Sequence, residues 1–186
     1  MHQELRQHFE KIISLTDNEF DFIKSHFTTK KLKKHQFLIQ DNETVVNDFW
    51  VVKGLLRAYS TDDNGREHII QFAKEDWWIS DYQAYFNQSK STINIACLEE
   101  TEVFCLSLED REKICSELHK VEYFFRKKSN NGYIALQRRI LSLLNSSAKE
   151  RYEQFLSQYP DLLQRIPKTL IASYLGVSRE TLSRLM

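Results

Sequence analysis

The spacing of apolar residues divides this chain into a helical beginning, a middle rich in strands and a helical second half. Residues 2–14 and 16–27 carry apolar positions at helical intervals, and Thr16 or Asp17 is suited to cap the second helix. Beyond Lys30 the pattern changes to short runs rich in Val, Ile, Phe, Trp and Tyr, which are typical of strands. We therefore expect strands at 30–39, 48–60, 66–73, 92–98 and 102–108.

Turn signals separate these predicted strands. The run from Asp62 to Gly65 is a strong hairpin signal, and Asp41-Asn42 and Lys53-Gly54 mark two further turns. Several short strands at this spacing fold as a barrel or a double-sheet roll. The predicted fold class is therefore α+β. It comprises an N-terminal β-roll, like a jelly roll or double-stranded β-helix, with flanking helices, then a long helix and an all-α end.

The helical second half contains one long helix, near 121–147, with short helices expected near 109–118 and 148–158. Apolar and small residues recur along the long helix every three or four positions. Two small residues at its middle would let two backbones approach, which favours the seam of a symmetric helix pair. The alternative is that this face packs on the roll of its own chain. The stripe consists of Val121, Phe125, Ser129, Gly132, Leu136, Ile140 and Leu143.

The last twenty residues, 167–186, have the pattern of two short helices joined by a tight turn. Ala172 is small where the helices would cross, and Gly176 permits a positive φ at the turn. Ser178 is a good N-cap for the second helix, and Glu180 lies in its first turn. These features together predict a helix-turn-helix.

Once the apolar positions of this second helix face inward, its exposed side chains are groups that can contact base edges. Arginine can bridge guanine O6 and N7, and glutamate can accept from the cytosine amino group. Any small helical pair with solvated surface charges would share this spacing, but the agreement of turn, cap and exposed face favours DNA binding. The candidate base contacts are Arg179, Glu180, Ser183 and Arg184.

The charge distribution points to double-stranded DNA as the partner of the second half, although the formal net charge of the chain is zero. Residues 1–110 hold 12 Lys and Arg against 19 Asp and Glu, a net charge of −7. Residues 111–186 hold 14 against 7, a net charge of +7. This asymmetry would direct the C-terminal half toward phosphates, and binding should weaken as salt rises.

The sequence contains no secretory leader and no apolar run long enough to cross a bilayer, so we expect a cytoplasmic protein with no membrane partner. Cys97, Cys105 and Cys115 are odd in number and never closely paired, which disfavours a disulfide framework or a metal cluster. Cys97 and Cys105 fall in apolar, strand-like runs, which favours buried thiols over redox sensing. The histidines are expected at the surface or in packing. No cofactor and no metal are predicted.

A β-roll, a long helix and a helix-turn-helix containing Ser178-Arg179-Glu180-Thr181 and Arg184 resemble the Crp/Fnr family of bacterial transcription regulators. The resemblance spans nearly the whole chain. In the roll, Phe49 to Gly54 and then Asp62 to Glu67 are similar to the family's ligand-binding domain. The resemblance implies a winged-helix-like DNA-binding end and a homodimer with paired long helices. Two recognition helices would enter successive major grooves of a palindromic site.

The resemblance also implies roles for individual residues. Arg179, Glu180 and Arg184 would contact base edges, whereas Lys168, Thr169 and Ser178 would hold phosphates. RNA polymerase is a further candidate partner. Family members usually continue past this helix, whereas the given sequence ends at Met186.

The chain departs from the family where members that bind cyclic AMP hold the nucleotide. Those members have a Gly-Glu pair followed by Arg-Ser or Arg-Thr, whereas here the stretch runs from Asp76 to Asp81 and no arginine accompanies Lys90. Two carboxylates and two indoles do not suit a cyclic phosphate, so an effector other than cyclic AMP is expected. The two indoles either line a pocket for an apolar effector or fill the core, and core packing is favoured. The candidate effector-pocket residues are Trp77, Trp78, Ser80, Asp81, Lys90 and Ser91.

The predicted organisation is a sensor domain over 1–118, a dimerisation helix over 119–147 and a DNA-binding domain over 148–186. The predicted function is a sequence-specific, DNA-binding transcriptional regulator. The alternative is a ligand-sensing module that acts through a protein partner without binding DNA. An iron-holding enzyme of the cupin type is disfavoured, because only His68 with Glu67 falls within the roll.

Overall fold

The computed structural model describes the backbone of residues 2–185 and the side chains of residues 3–185. Helices occupy both ends of this range, and strands fill most of the middle. The helices are α1 (His2–Glu10), α2 (Asp17–Ser25), α3 (Tyr82–Asn87), α4 (Leu108–Glu117), α5 (His119–Asn145), α6 (Ala148–Gln158), α7 (Lys168–Leu175) and α8 (Arg179–Leu185). The strands are β1 (Thr28–Leu32), β2 (Phe37–Ile39), β3 (Asn47–Lys53), β4 (Leu56–Thr61), β5 (Glu67–Ala73), β6 (Trp78–Ile79), β7 (Asn94–Cys97) and β8 (Thr101–Ser107).

The strands form two four-stranded sheets with the orders β1-β8-β3-β6 and β2-β7-β4-β5. Strand β8 pairs antiparallel with both β1 and β3. Apart from β4 and β5, which form a hairpin, neighbouring strands in each sheet are distant in sequence, as in a double-sheet roll. The predicted α+β fold class is confirmed.

Two turns in the roll depend on glycine. The predicted single strand at 48–60 is divided at Gly54, whose φ is 108°. A Cβ at this position would lie 2.5 Å from Thr101 Oγ1 and 2.7 Å from the Glu100 carbonyl oxygen, so no side chain fits there. The predicted hairpin is confirmed: Asp62 Oδ1 accepts from the Arg66 N–H at 2.9 Å, and Gly65 has a φ of 76°.

The local pattern missed one helix and one short strand. Residues 78–79 form β6 and residues 82–87 form α3, and no element was predicted at either place. Asp81 is the N-cap of α3, and its side chain accepts from the Ala84 N–H at 3.1 Å. An aspartate N-cap was therefore the available signal, but a helix of six residues is too short to show a clear period.

The chain consists of two compact units, each defined by residues that lie close together in space. Unit 1 comprises residues 1–58 and 72–129, and unit 2 comprises residues 59–71 and 130–186. Their boundary falls inside α5, whereas the sequence places the first domain boundary at residue 118. The tip of the β4–β5 hairpin is counted with unit 2, which the sequence did not predict.

Unit 1 has two apolar clusters. One fills the roll between its sheets and includes Phe49, Val51, Leu56 and Ile95. The other joins α1, α2, α4 and the first part of α5 to the roll's outer face through aromatic residues. Its buried aromatic members are Phe9, Phe20, Trp50, Phe104, Phe124 and Phe125. The cysteine prediction is confirmed for Cys97 and Cys105, which are buried, while Cys115 is half-buried.

Candidate DNA-binding surface and effector region

The two C-terminal helices of unit 2 meet at a tight turn. Gly176 ends α7 with a φ of 66°, its N–H donates to the Ser173 carbonyl at 3.1 Å, and the Val177 N–H donates to the Ala172 carbonyl at 3.0 Å. The Ser178 hydroxyl accepts from the Thr181 N–H at 3.2 Å and so caps α8. The predicted turn and N-cap are confirmed.

Helix α8 packs one side on its neighbours and leaves the other open. Leu182 is buried, as are Ile171, Ala172 and Leu175 of α7. The side chains of Arg179, Glu180, Ser183 and Arg184 are exposed and together line one shallow depression. We call these four residues the recognition face.

The recognition face carries two cations and one anion at neutral pH. The backbone N–H of Glu180 and the Ser178 hydroxyl lower the pKa of the Glu180 carboxyl, and Arg179 and Arg184 act in the same direction. The guanidinium of Arg184 lies along its own helix, with Nε 3.4 Å from the Glu180 carbonyl oxygen. The face therefore offers both donors and an acceptor to whatever docks on it.

The predicted phosphate contacts lie beside this face. Lys168 and Thr169 are exposed in the first turn of α7, and Ser178 is exposed before α8. The Ser178 hydroxyl oxygen accepts from the Thr181 N–H and lies 3.2 Å from Thr181 Oγ1, so this side chain is already engaged in the first turn of α8.

The predicted effector residues do not form one site. Asp81, Ser91 and Ser80 are buried near the start of α3. Asp81 Oδ2 accepts from the Ser91 hydroxyl at 2.9 Å and from the Thr92 N–H at 3.0 Å. Lys90 is exposed and donates from Nζ to Asn42 Oδ1 at 3.1 Å. A carboxylate of the chain itself thus takes the local hydrogen-bond donors at this position.

The adjacent tryptophans point to different clusters. Trp77 packs against the cluster inside the roll, whereas Trp78 packs with the aromatic cluster under the helices. Both lie in packing environments, which agrees with the core alternative favoured from the sequence. Trp78 also has a polar role, because its Nε1–H donates to His8 Nε2 at 2.8 Å.

Sequence reasoning missed the network around His8. This ring is 1% exposed and lies 5.2 Å, centroid to centroid, from the Trp50 ring. His8 Nδ1 is 2.5 Å from Asp76 Oδ1, and Lys11 Nζ is 2.5 Å from Asp76 Oδ2. Since Nε2 accepts from Trp78, Nδ1 carries the proton and donates to Asp76. Burial, followed by the nearby Lys128 ammonium, lowers the pKa of His8 to about 4 despite the carboxylate.

A second buried polar group links the roll to the helices of unit 1. Asp48 on β3 is 3.5 Å from the Arg111 Nη1 on α4, and its Oδ1 accepts from the Phe49 N–H at 2.9 Å. The Arg111 guanidinium also lies 4.2 Å from the centre of the Phe125 ring. Burial raises the pKa of Asp48 to about 7, although Arg111 acts in the opposite direction.

The stripe on α5 is not uniform. Val121 and Phe125 are 0% and 5% exposed and belong to the aromatic cluster of unit 1, which corrects their prediction as seam residues. Farther along, Leu136 and Ile140 are 50% and 56% exposed, and Leu143 is also exposed. Ser129 and Gly132 are exposed too.

Two exposed residues extend this face beyond the predicted stripe. Tyr133 and Leu144 are 70% and 74% exposed. Tyr133 follows Ser129 by four residues and Leu144 follows Ile140 by four, so both lie beside the stripe on the helix surface. We use the term seam for the exposed residues Ser129, Gly132, Tyr133, Leu136, Ile140, Leu143 and Leu144.

Part of the sequence matches a known protein family. Residues 29–117 match the Cyclic nucleotide-binding domain family. The match covers the roll together with α4. No curated protein sequence shows a significant match to the chain.

Solved structures share the fold over most of the chain. FixK2 from Bradyrhizobium japonicum has a TM-score of 0.74 at 19% identity, covering 86% of this chain and 82% of FixK2. A regulator from Eubacterium rectale assigned to the crp/fnr family has a TM-score of 0.69 at 18% identity, with coverage of 92% and 82%. The c-di-GMP responsive regulator CLP of Xanthomonas campestris has a TM-score of 0.69 at 12% identity, with coverage of 91% and 89%. At these identities the likeness establishes the fold.

Two further findings concern membranes and metals. No helix among the described residues is both long and apolar enough to span a membrane. Within residues 2–185, no group of three or more His, Cys, Asp or Glu side chains is arranged to hold a metal ion.

Proposed function

We propose that the protein is a sequence-specific, DNA-binding transcriptional regulator of the Crp/Fnr type. The observation that carries the proposal is the recognition face, where Arg179, Glu180, Ser183 and Arg184 are exposed together on the helix that follows a tight turn. The cyclic nucleotide-binding domain match and the fold shared with such regulators support the same function.

In this mechanism α8 enters the major groove with its N-terminal turn toward the bases. Arg179 and Arg184 are suited to donate to guanine O6 and N7, and the ionised Glu180 is suited to accept from a cytosine amino group. Lys168 and Thr169, in the first turn of α7, would contact the phosphates and fix the register.

The protein would act as a homodimer through the seam. The seam exposes large apolar side chains along three turns of α5, an arrangement that favours burial against a second copy. Gly132 and Ser129 allow close approach of the two helices, and a Cβ at Gly132 would meet nothing within 4 Å in its own chain. Two copies would present two recognition faces, which matches a palindromic site.

The sensed effector, in this proposal, is not cyclic AMP. Asp81 already takes the Ser91 hydroxyl and two backbone N–H groups near the start of α3, and a second anion there would be repelled. The fold does not determine the identity of the effector, because ligands differ among proteins that share a fold.

We predict that two single substitutions change the affinity and the sequence specificity of DNA binding in different ways. Arg179→Ala should weaken binding to the palindrome selected by the wild-type protein about 10- to 100-fold and relax the base preference at one position. Lys168→Ala should weaken binding to all duplexes alike and reduce the salt slope by about one. Fluorescence anisotropy across a salt series, with single-base operator variants, measures both effects. Unaltered operator affinity in both variants would refute the assigned roles.

A calorimetric titration tests the effector proposal. Cyclic AMP should give no saturable heat up to about 1 mM, since the anion position is taken by Asp81. Saturable binding in the micromolar range would contradict the proposal, and its survival in Lys90→Ala would show that groups other than Lys90 hold the phosphate.

A further inference from the structure

Strand β5 lies at the edge of its sheet, next to β4 only. The outward backbone groups of an edge strand need partners from elsewhere. In a strand, the N–H and C=O of alternate residues point to the same edge. Within unit 2, the Glu67 carbonyl and both backbone groups of Ile69 are bonded by side chains from α7 and α5.

Ser173 of α7 contacts this edge twice. Its hydroxyl accepts from the Ile69 N–H at 3.2 Å and donates to the Glu67 carbonyl at 2.8 Å. One hydroxyl thus takes the place of a residue in a neighbouring strand.

Arg139 of α5 makes a second connection to the same edge. Its Nη2 donates to the Ile69 carbonyl at 2.9 Å and to the Tyr174 carbonyl at 3.0 Å. The guanidinium also stacks on the Tyr174 ring, with its central carbon 3.7 Å from the ring centre. One side chain therefore joins the long helix, the hairpin and the end of α7.

Arg151 of α6 holds the next residue of α7. Its Nε donates to the Leu175 carbonyl at 2.8 Å and its Nη1 to the Ser146 carbonyl at 2.6 Å. The last carbonyls of a helix carry partial negative charge and lack helical partners, so cations stabilise them. The last turn of α7 is thus fixed from two sides, immediately before the turn that leads to α8.

We propose that Ser173 and Arg139 form a clamp that fastens the β4–β5 hairpin to α7 and positions the recognition face on DNA. Both are positioning residues, because neither belongs to the recognition face. The inference rests on the proposed DNA-binding function. It adds a partner for α7 inside the chain, namely the outer edge of β5.

The clamp supports DNA binding and does not block it. The recognition face is exposed in the structure in which the clamp is closed. A dimer on a palindrome must present two helices at a fixed spacing, so a fixed α7 reduces the orientations that DNA must select. Phosphate contacts tolerate misorientation better than base contacts, and specific binding should therefore lose more than non-specific binding.

The test compares two variants with two matched controls in the full-length protein. Ser173→Ala and Arg139→Gln remove the clamp, whereas Ser157→Ala and Arg138→Gln make the same changes at exposed positions of α6 and α5. Binding is measured on a palindrome selected from random duplexes by the wild-type protein and on random-sequence DNA. Amide hydrogen exchange is measured at Ile69, with Ile70, which faces β4, as the internal reference.

Each clamp variant should bind the palindrome about fivefold more weakly, with less than about a twofold change on random DNA. In Ser173→Ala, the Ile69 amide should exchange at least about tenfold faster while Ile70 is unchanged. Both control variants should match the wild type.

The outcomes separate the two proposals. Unchanged exchange at Ile69 in Ser173→Ala would overturn the clamp whatever the DNA result. Faster exchange with an unchanged ratio of specific to non-specific affinity would overturn its positioning role. If the wild-type protein selected no palindrome, the proposed function would fail, while the exchange data would still test the clamp itself.

Discussion

Replacing Leu136 with aspartate is expected to convert the proposed homodimer to a monomer. Leu136 lies at the centre of the seam and is half-exposed in the single chain. In a symmetric pair the substitution places two carboxylates in one apolar interface, where unpaired charges cost several kcal/mol. Dimerisation should weaken by at least about 100-fold, and palindrome affinity should fall with it, because two half-sites can no longer be held together.

Analytical ultracentrifugation measures the first effect and operator binding the second. Asn131→Asp provides the matched control, because it introduces the same residue at an exposed position on another face of α5. It should leave the dimer intact. A dimer of wild-type strength in Leu136→Asp would place the interface elsewhere and remove the seam from the proposed function.

Two buried titratable groups in unit 1 are expected to give stability changes of opposite sign between pH 7 and pH 4. The pKa of His8 is lowered from 6.5 to about 4 by burial, so the unfolded chain binds a proton before the folded protein does. The contribution of His8 is present above pH 6.5 and is lost as the pH falls toward 4. The pKa of Asp48 is raised by burial from 3.8 to about 7, so the folded protein binds its proton first. Its contribution grows as the pH falls through the same range.

Differences between wild type and single variants isolate each group. The advantage of the wild type over His8→Gln in free energy of unfolding should shrink by about 3 kcal/mol from pH 7 to pH 4. Relative to Asp48→Asn, the wild type should gain about 3 kcal/mol over that range, because Asp48 is already half protonated in the folded protein at pH 7. Urea unfolding at several pH values measures both differences. Parallel pH profiles for the wild type and either variant would contradict the burial argument for that residue.

The surroundings of His8 explain why the folded protein favours its neutral form. His8 faces Asp76, Lys11 and Lys128, and its neutral form is the one that donates to Asp76 and accepts from Trp78. Protonation would remove the acceptor at Nε2 and leave the indole N–H without it.

The sequence predicted the ends of the chain better than its middle. Helix α6 begins and ends at the expected residues, 148 and 158, because Ser147 and Glu150 form a capping box at one end and Pro160 follows the other. The turn at Gly176 and the cap at Ser178 were predicted for the same reason. Each signal lies within a few residues of the feature it controls.

The sequence likewise predicted one part of the candidate site better than the other. The recognition face was predicted from helical spacing alone, because the buried Leu182 and the exposed polar residues lie on different sides of the same two helical turns. The effector residues were chosen by position in the chain, and the structure brings Asp81 and Ser91 together but sends Trp77 and Trp78 to different clusters. Side-chain direction on a two-residue strand has no periodic signal.

By itself, the sequence determined the order of the elements, the caps and turns, and the charged face of α8, because short-range sterics and hydrogen bonds encode them. Only the tertiary structure decided where the stripe on α5 becomes buried, with Phe125 inside a cluster and Leu136 in the open. It also decided that His8 pairs with Asp76 and that Ser173 takes the edge of β5. These contacts join residues far apart in the chain, and their burial depends on which surfaces meet, which no local pattern contains.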